Sequence, residues 1–184
     1  MPRRPHLSHL TTHVHRRRRL GPLWGRGVVA SAALVLLAGV LAGCSPGEVR
    51  VDDHDLSDAD RATCEALVDD LPDTLGGELR RSVDADGGPG AAWGDPAYVL
   101  TCGVPAPADY EPTAECSDVK GVGWYVTDDQ LSDLRVDVTP IALSRTPYVE
   151  LLVPSRYRTD GVDRALAELA PVLEEHLATG LDCL

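Results

Sequence analysis

The chain has 184 residues, with 29 Asp and Glu against 17 Lys and Arg and a formal net charge of −12. The two signs are segregated: Arg3, Arg4, Arg16, Arg17, Arg18, Arg19 and Arg26 precede every acidic residue. Past residue 43 the balance is 10 basic residues against 29 acidic ones, or −19. A domain so acidic has no basic patch to offer, which excludes nucleic acid and anionic headgroups as electrostatic partners.

In chain order, the arginine-rich start leads into Val28 to Leu41 (VVASAALVLLAGVL), 14 apolar or small residues. A basic region, a short apolar core and small residues before a cut site make up a secretory signal. A permanent span needs about 20 apolar residues, so this run is short for one. Leu41-Ala42-Gly43-Cys44 follows, and it resembles the lipobox of bacterial lipoproteins: an aliphatic residue, two small ones and the obligatory cysteine. The resemblance implies that residues 1–43 are a signal peptide, that a peptidase cuts before Cys44, and that its thiol carries a diacylglyceryl group. Two or three acyl chains, at about 0.8 kcal/mol per buried CH₂, hold a protein to a membrane where one chain would not. The expected location is the cell membrane, lipid-anchored on its extracytoplasmic face.

Residues 44–56 are polar and acidic without periodicity and read as a tether, leaving 57–184 as one domain. Ser57 with Asp60 reads as a helix cap, and Cys64, Leu67, Val68 and Leu71 share one face of the helix that follows until Pro72. Asp84 to Gly90 (DADGGPG) reads as a loop. Ala97 to Cys102, Gly121 to Val126 and Leu134 to Val138 alternate as strands, and Tyr148 to Val153, the most apolar, is expected at the centre. A last helix runs from about Asp160 to Thr179, with Pro171 predicting a kink and Gly180 a C-terminal cap. The sum is an α+β domain: a mainly antiparallel sheet of about four strands with an N-terminal and a C-terminal helix on one face.

With Cys44 lipidated, Cys64, Cys102, Cys116 and Cys183 remain, an even number in an exported chain and an expectation of two disulfides. Three pairings are open. The favoured one joins Cys102 to Cys116 across a proline-rich loop and Cys64 to Cys183. Zinc is disfavoured, since there is no C-x₂-C pair and only His54 and His176 follow the signal.

Taken together, the lipobox, the helix with Cys64, Trp93-Gly94-Asp95-Pro96-Ala97-Tyr98-Val99-Leu100-Thr101-Cys102-Gly103-Val104-Pro105, Gly121-Val122-Gly123-Trp124 and Arg145-Thr146-Pro147-Tyr148-Val149-Glu150 resemble one family. It is a family of small actinobacterial lipoproteins catalogued as a domain of unknown function, number 3515. The resemblance covers nearly all the chain past the signal. It departs at Thr101, where Arg is usual, and it implies a location and a fold but no chemistry.

No nucleophile elbow, P-loop, dinucleotide fingerprint or H-E-x-x-H helix occurs, and no cofactor or metal is expected. Asp53 to Cys64 fails as a calcium loop, with Asp58 at the glycine position and Cys64 at the twelfth. His176 reads as a solvated helix end. Two residues are candidate binding groups: Trp93, between a glycine-rich loop and a strand, and Arg145, at the mouth of the central strand. Each has a structural alternative, Trp93 as a core plug and Arg145 as half of an internal salt bridge. The function expected is a non-catalytic binding or interaction module serving an envelope protein, peptidoglycan or a solute. An envelope hydrolase using carboxylates and a structural subunit of an envelope complex are the alternatives.

Overall fold

Ser57 opens the first helix: its Oγ accepts from the Asp60 amide at 3.1 Å, satisfying an otherwise orphaned donor. In the computed structural model, which describes residues 47–108, 110, 111, 114, 116–159 and 161–181, helix α1 spans Asp58–Asp69 and buries Cys64 and Leu67. Cys44 and Cys183 lie outside the described residues.

The sheet is larger than the alternation predicts. Eight strands, β1 (Thr74–Leu75), β2 (Glu78–Arg81), β3 (Gly90–Trp93), β4 (Tyr98–Cys102), β5 (Ser117–Val119), β6 (Val122–Tyr125), β7 (Ile141–Ala142) and β9 (Val149–Leu152), form one sheet. Their order is β1-β2-β3-β4-β9-β7-β6-β5, with every neighbouring pair antiparallel. Four strands were expected; the additional ones are two to four residues long. β3 is buried along its whole length, so Gly-Ala-Ala-Trp shows no alternation. Gly90 belongs in this strand because a Cβ there would run into the Leu100 carbonyl of β4. The expected central strand is central, between β4 and β7.

Leu134 to Val138 is not a strand. Asp133 Oδ1 accepts from the Arg135 amide at 2.9 Å, a local turn that competes with a ladder, and only Val138 bridges, to Val153. Helix α2 is a single turn, Asp128–Ser132. Helix α3 spans Val162–His176 and stays one helix through Pro171. The chain then pairs β10 (Ala178–Thr179) with β8 (Arg145–Thr146). Gly180 therefore does not cap a helix; it lets the backbone pass Leu143 and Arg145, where a Cβ would lie 2.5 Å from the Leu143 carbonyl oxygen.

Helices α1 and α3 bury Leu67, Leu166, Leu169 and Leu173 against Leu100, Val122, Val149 and Leu151, the residues of one sheet face. At the helix ends His176 Nε2 lies 2.9 Å from Asp70 Oδ2, so His176 ties α3 to α1 and is not merely a solvated terminus. The disulfide in this layer joins Cys64 to Cys102, with Cα atoms 5.6 Å apart. This corrects both favoured pairings, Cys64 with Cys183 and Cys102 with Cys116. α1 lies along the face on which β4 presents Cys102, so the two buried thiols meet directly. Two disulfides were expected; Cys64–Cys102 is the one found among the described residues, and Cys116 is also disulfide-bonded.

The stretch read as an acidic tether is held to the domain from Gly47 on. Val49 bridges Val83 and exchanges backbone hydrogen bonds with Ser82 and Asp84, and Val51 is buried. Two valines spaced by one residue place a strand-like edge inside an otherwise polar run.

Candidate functional site

Trp124 sits on β6 between Ser117 of β5 and Ala142 of β7, two small neighbours in register with it. That leaves room over the indole, and α3 begins only at Val162. A cavity of about 240 Å³ lies beside it, with Val126, Leu131, Leu134, Val138 and Leu166 on its aliphatic wall and Arg158 and Asp163 as its charged groups. Trp124 is 1% exposed, and its indole Nε1 is buried with no hydrogen-bond partner among the described residues. An unpaired buried donor costs about 1–3 kcal/mol. At the cavity's end the first turn of α3, Val162 and Asp163, lines the wall, and its N-cap residue Gly161 supplies no side-chain acceptor.

The outer wall is the lip from Thr127 to Val138, organised by one guanidinium. Arg158 Nη1 donates to the carbonyls of Gln130 at 2.6 Å, Asp133 at 3.1 Å and Val136 at 3.3 Å. Gln130 and Thr139 fasten the same segment through the Thr139 amide, which donates to Gln130 Oε1 at 3.0 Å. On this fixed lip Leu131 and Leu134 are 56% and 55% exposed.

Beyond the lip a second, polar cleft of about 650 Å³ shares Ser117, Val126 and Leu131 with the cavity. Glu111, Asp128, Asp129 and Tyr125 line it, and no Lys or Arg does among the described residues. Tyr110 meets the Tyr125 ring edge-on at 5.4 Å.

A family model described as "Protein of unknown function (DUF3515)" matches residues 26–181. The chain belongs to that family. No curated protein and no solved structure matches it.

Neither sequence-derived binding candidate faces these cavities. Trp93 is fully buried, its Nε1 donates to the Pro72 carbonyl at 2.9 Å, and Arg80 stacks 5.9 Å from its ring centre. Arg145 is the internal salt bridge: Nη2 donates to Glu174 Oε1 at 2.8 Å and to the Gly121 carbonyl at 3.0 Å. Trp124, Arg158, Leu131 and Leu134 were missed. Leu134, Val136 and Val138 resemble a strand by spacing, and only the exposed position of the first two shows that they serve the lip.

Thr101, where the family resemblance departs, lies on the face away from the helices, directly across from Glu150 in register. Burial pushes the Glu150 carboxyl above its ordinary value of 4.5, opposed by nearby His54. The folded state thus holds its proton longer than the unfolded chain, so stability falls as pH rises through the window just above that value. Glu150→Gln is expected to raise the melting temperature at neutral pH and leave it unchanged well below 4.5. A melting curve series across pH checks this, and a variant destabilised at neutral pH would contradict it.

Tyr98 stacks on Tyr157 at 4.6 Å, and burial, with Tyr157 and Glu78 adding to it, pushes its hydroxyl up to about 12. Its Oη has no hydrogen-bond partner among the described residues. Tyr98→Phe is therefore expected to be neutral or to stabilise by about 1 kcal/mol in denaturant titrations, since it removes a buried unsatisfied group and keeps the ring.

Proposed function

We propose that the chain is an exported, lipid-anchored binding module, held at the extracytoplasmic face of the membrane through Cys44, and that the Trp124 cavity is its binding site. The cavity carries this reading: a mainly aliphatic hollow with a few polar groups, Arg158 and Asp163 among them, and exposed leucines on a fastened lip fits a ligand site in composition. The arginine-rich, apolar leader ending in Leu41-Ala42-Gly43-Cys44 and the Cys64–Cys102 disulfide support export into an oxidising compartment. Cys44 stands three residues before Gly47, whose carbonyl accepts from Arg81 Nη2 at 2.6 Å. Three extended residues reach about 10 Å, so the anchored domain works close to the bilayer surface.

A structural subunit of an envelope complex is the second reading, favoured by the exposed Leu131, Leu134 and Val136. Two variants test the proposal. Cys44→Ala should abolish metabolic lipid labelling and release the protein from the membrane; a labelled, retained variant would sink the anchor. Leu134→Asp, at an exposed position, should leave the fold intact and give cells the phenotype of the deletion. Full complementation by that variant would count against the cavity.

A further inference from the structure

We infer that the end of the domain from which the chain leaves for Cys44 lies against the bilayer, with Leu79 of β2 set into its interfacial layer. The inference rests on the lipid-anchored reading and deepens it, naming the surface that the anchor holds down. The link is short: Cys44 stands three residues before Gly47, a reach of about 10 Å. Gly47 is itself fastened, because Arg81 Nη2 donates to its carbonyl at 2.6 Å while Arg81 Nη1 donates to the Gly94 carbonyl at 2.9 Å. Val49 continues the attachment, its amide donating to the Ser82 carbonyl at 3.0 Å and its carbonyl accepting from the Asp84 amide at 2.9 Å. A lipid on Cys44 is therefore coupled to β2 within a few residues.

Leu79 is the apolar residue beside that exit. Side chains alternate along a strand, and Arg80 turns toward α1, donating to the carbonyls of Leu71 and Val68 at 2.9 Å each. Leu79 and Arg81 therefore share the opposite face, about 7 Å apart along β2. Leu79 is 72% exposed, the most exposed large hydrophobic residue among the described ones. The charges around it do not favour an anionic surface. Arg81 lies 3.9 Å from Asp95 and Arg50 lies 3.5 Å from Asp52, while Glu48 and Glu78 add two acids to the same short segments. The contact is accordingly apolar, and it needs no anionic lipid.

The full chain, expressed with its leader and reconstituted into phosphatidylcholine vesicles that contain brominated phosphatidylcholine, tests this. A fluorescent amino acid replaces Leu79 or, as control, the exposed Lys120. Leu79 stands beyond the Trp93–Tyr98 pair and Lys120 beyond the Val119–Val122 pair, which register puts at opposite ends of the strands. The bromolipid is expected to remove most of the emission from position 79 and none from position 120, with or without phosphatidylglycerol in the vesicles. A flexible Gly-Ser spacer of about 20 residues between Ser45 and Pro46, reaching about 25 Å, should abolish most of the quenching at 79 while the chain still floats with the vesicles. The inference is overturned by unquenched emission at 79 in a chain that floats, by equal quenching at 79 and 120, by quenching at 79 that the spacer leaves unchanged, or by quenching that appears only with phosphatidylglycerol. A chain that carries no lipid and does not float removes the anchor, and this inference with it, and leaves the Trp124 cavity untouched.

Discussion

Replacing Cys64 and Cys102 together by alanine is expected to lower stability by about 4 kcal/mol, the loop-closure term for residues 38 apart in sequence. The link joins α1 to β4, so without it the helix must find its seat on the sheet by packing alone. Domains of this size hold about 5–15 kcal/mol in all, and the loss is a large share of that. It corresponds to a fall of roughly 10–15 °C in melting temperature. Both thiols are buried, so alanine leaves small voids that add to the loss. Thermal unfolding of the oxidised wild type beside the double variant measures it. An unchanged transition would mean that Cys64 and Cys102 are not the bonded pair, and peptide mapping without reduction would then name the true partners.

Trp93→Ala is expected to cost about 3–5 kcal/mol, the range for deleting a fully buried aromatic side chain. It also strips the Pro72 carbonyl of its indole donor and Arg80 of the ring it stacks on. Trp93→Phe keeps most of the packing and should lose about 1–2 kcal/mol, mainly the orphaned carbonyl. Denaturant titrations of the two variants separate volume from hydrogen bond. A folded, fully stable Trp93→Ala would return Trp93 to the surface and contradict its buried place on β3.

The sequence carried the two helices, each with one buried stripe, and the strands at 98–102, 122–125 and 149–152, where larger apolar residues (Tyr98 and Leu100, Val122 and Trp124, Val149 and Leu151) recur at every second position. It did not carry β3, whose Gly90-Ala91-Ala92-Trp93 is buried on both faces, nor the two-residue strands, which are too short for a period to form. The disulfide pairing is hidden in the sequence for a related reason. Spacing along the chain favours short loops and chain ends, whereas the pairing is set by α1 lying on the face where β4 turns Cys102 inward.

The candidate site was hidden more deeply. Trp124 reads as one more strand residue, and nothing local announces that Ser117 and Ala142 flank it. Arg158 follows a strand end in sequence, yet in space it gathers three carbonyls from a segment more than 20 residues away. Arg145 and Trp93 stand out by residue type and by their places at a strand mouth and beside a glycine-rich loop, and the fold uses both inside itself.

The central claim is that the lip over Trp124 engages a ligand or partner in the cell. A photoreactive amino acid at position 134, with one at the exposed Leu79 on β2 as control, tests it in intact cells. The account predicts a discrete adduct from position 134, absent from position 79 and reduced by Trp124→Phe. No adduct from position 134, or the same diffuse labelling from both positions, would contradict it.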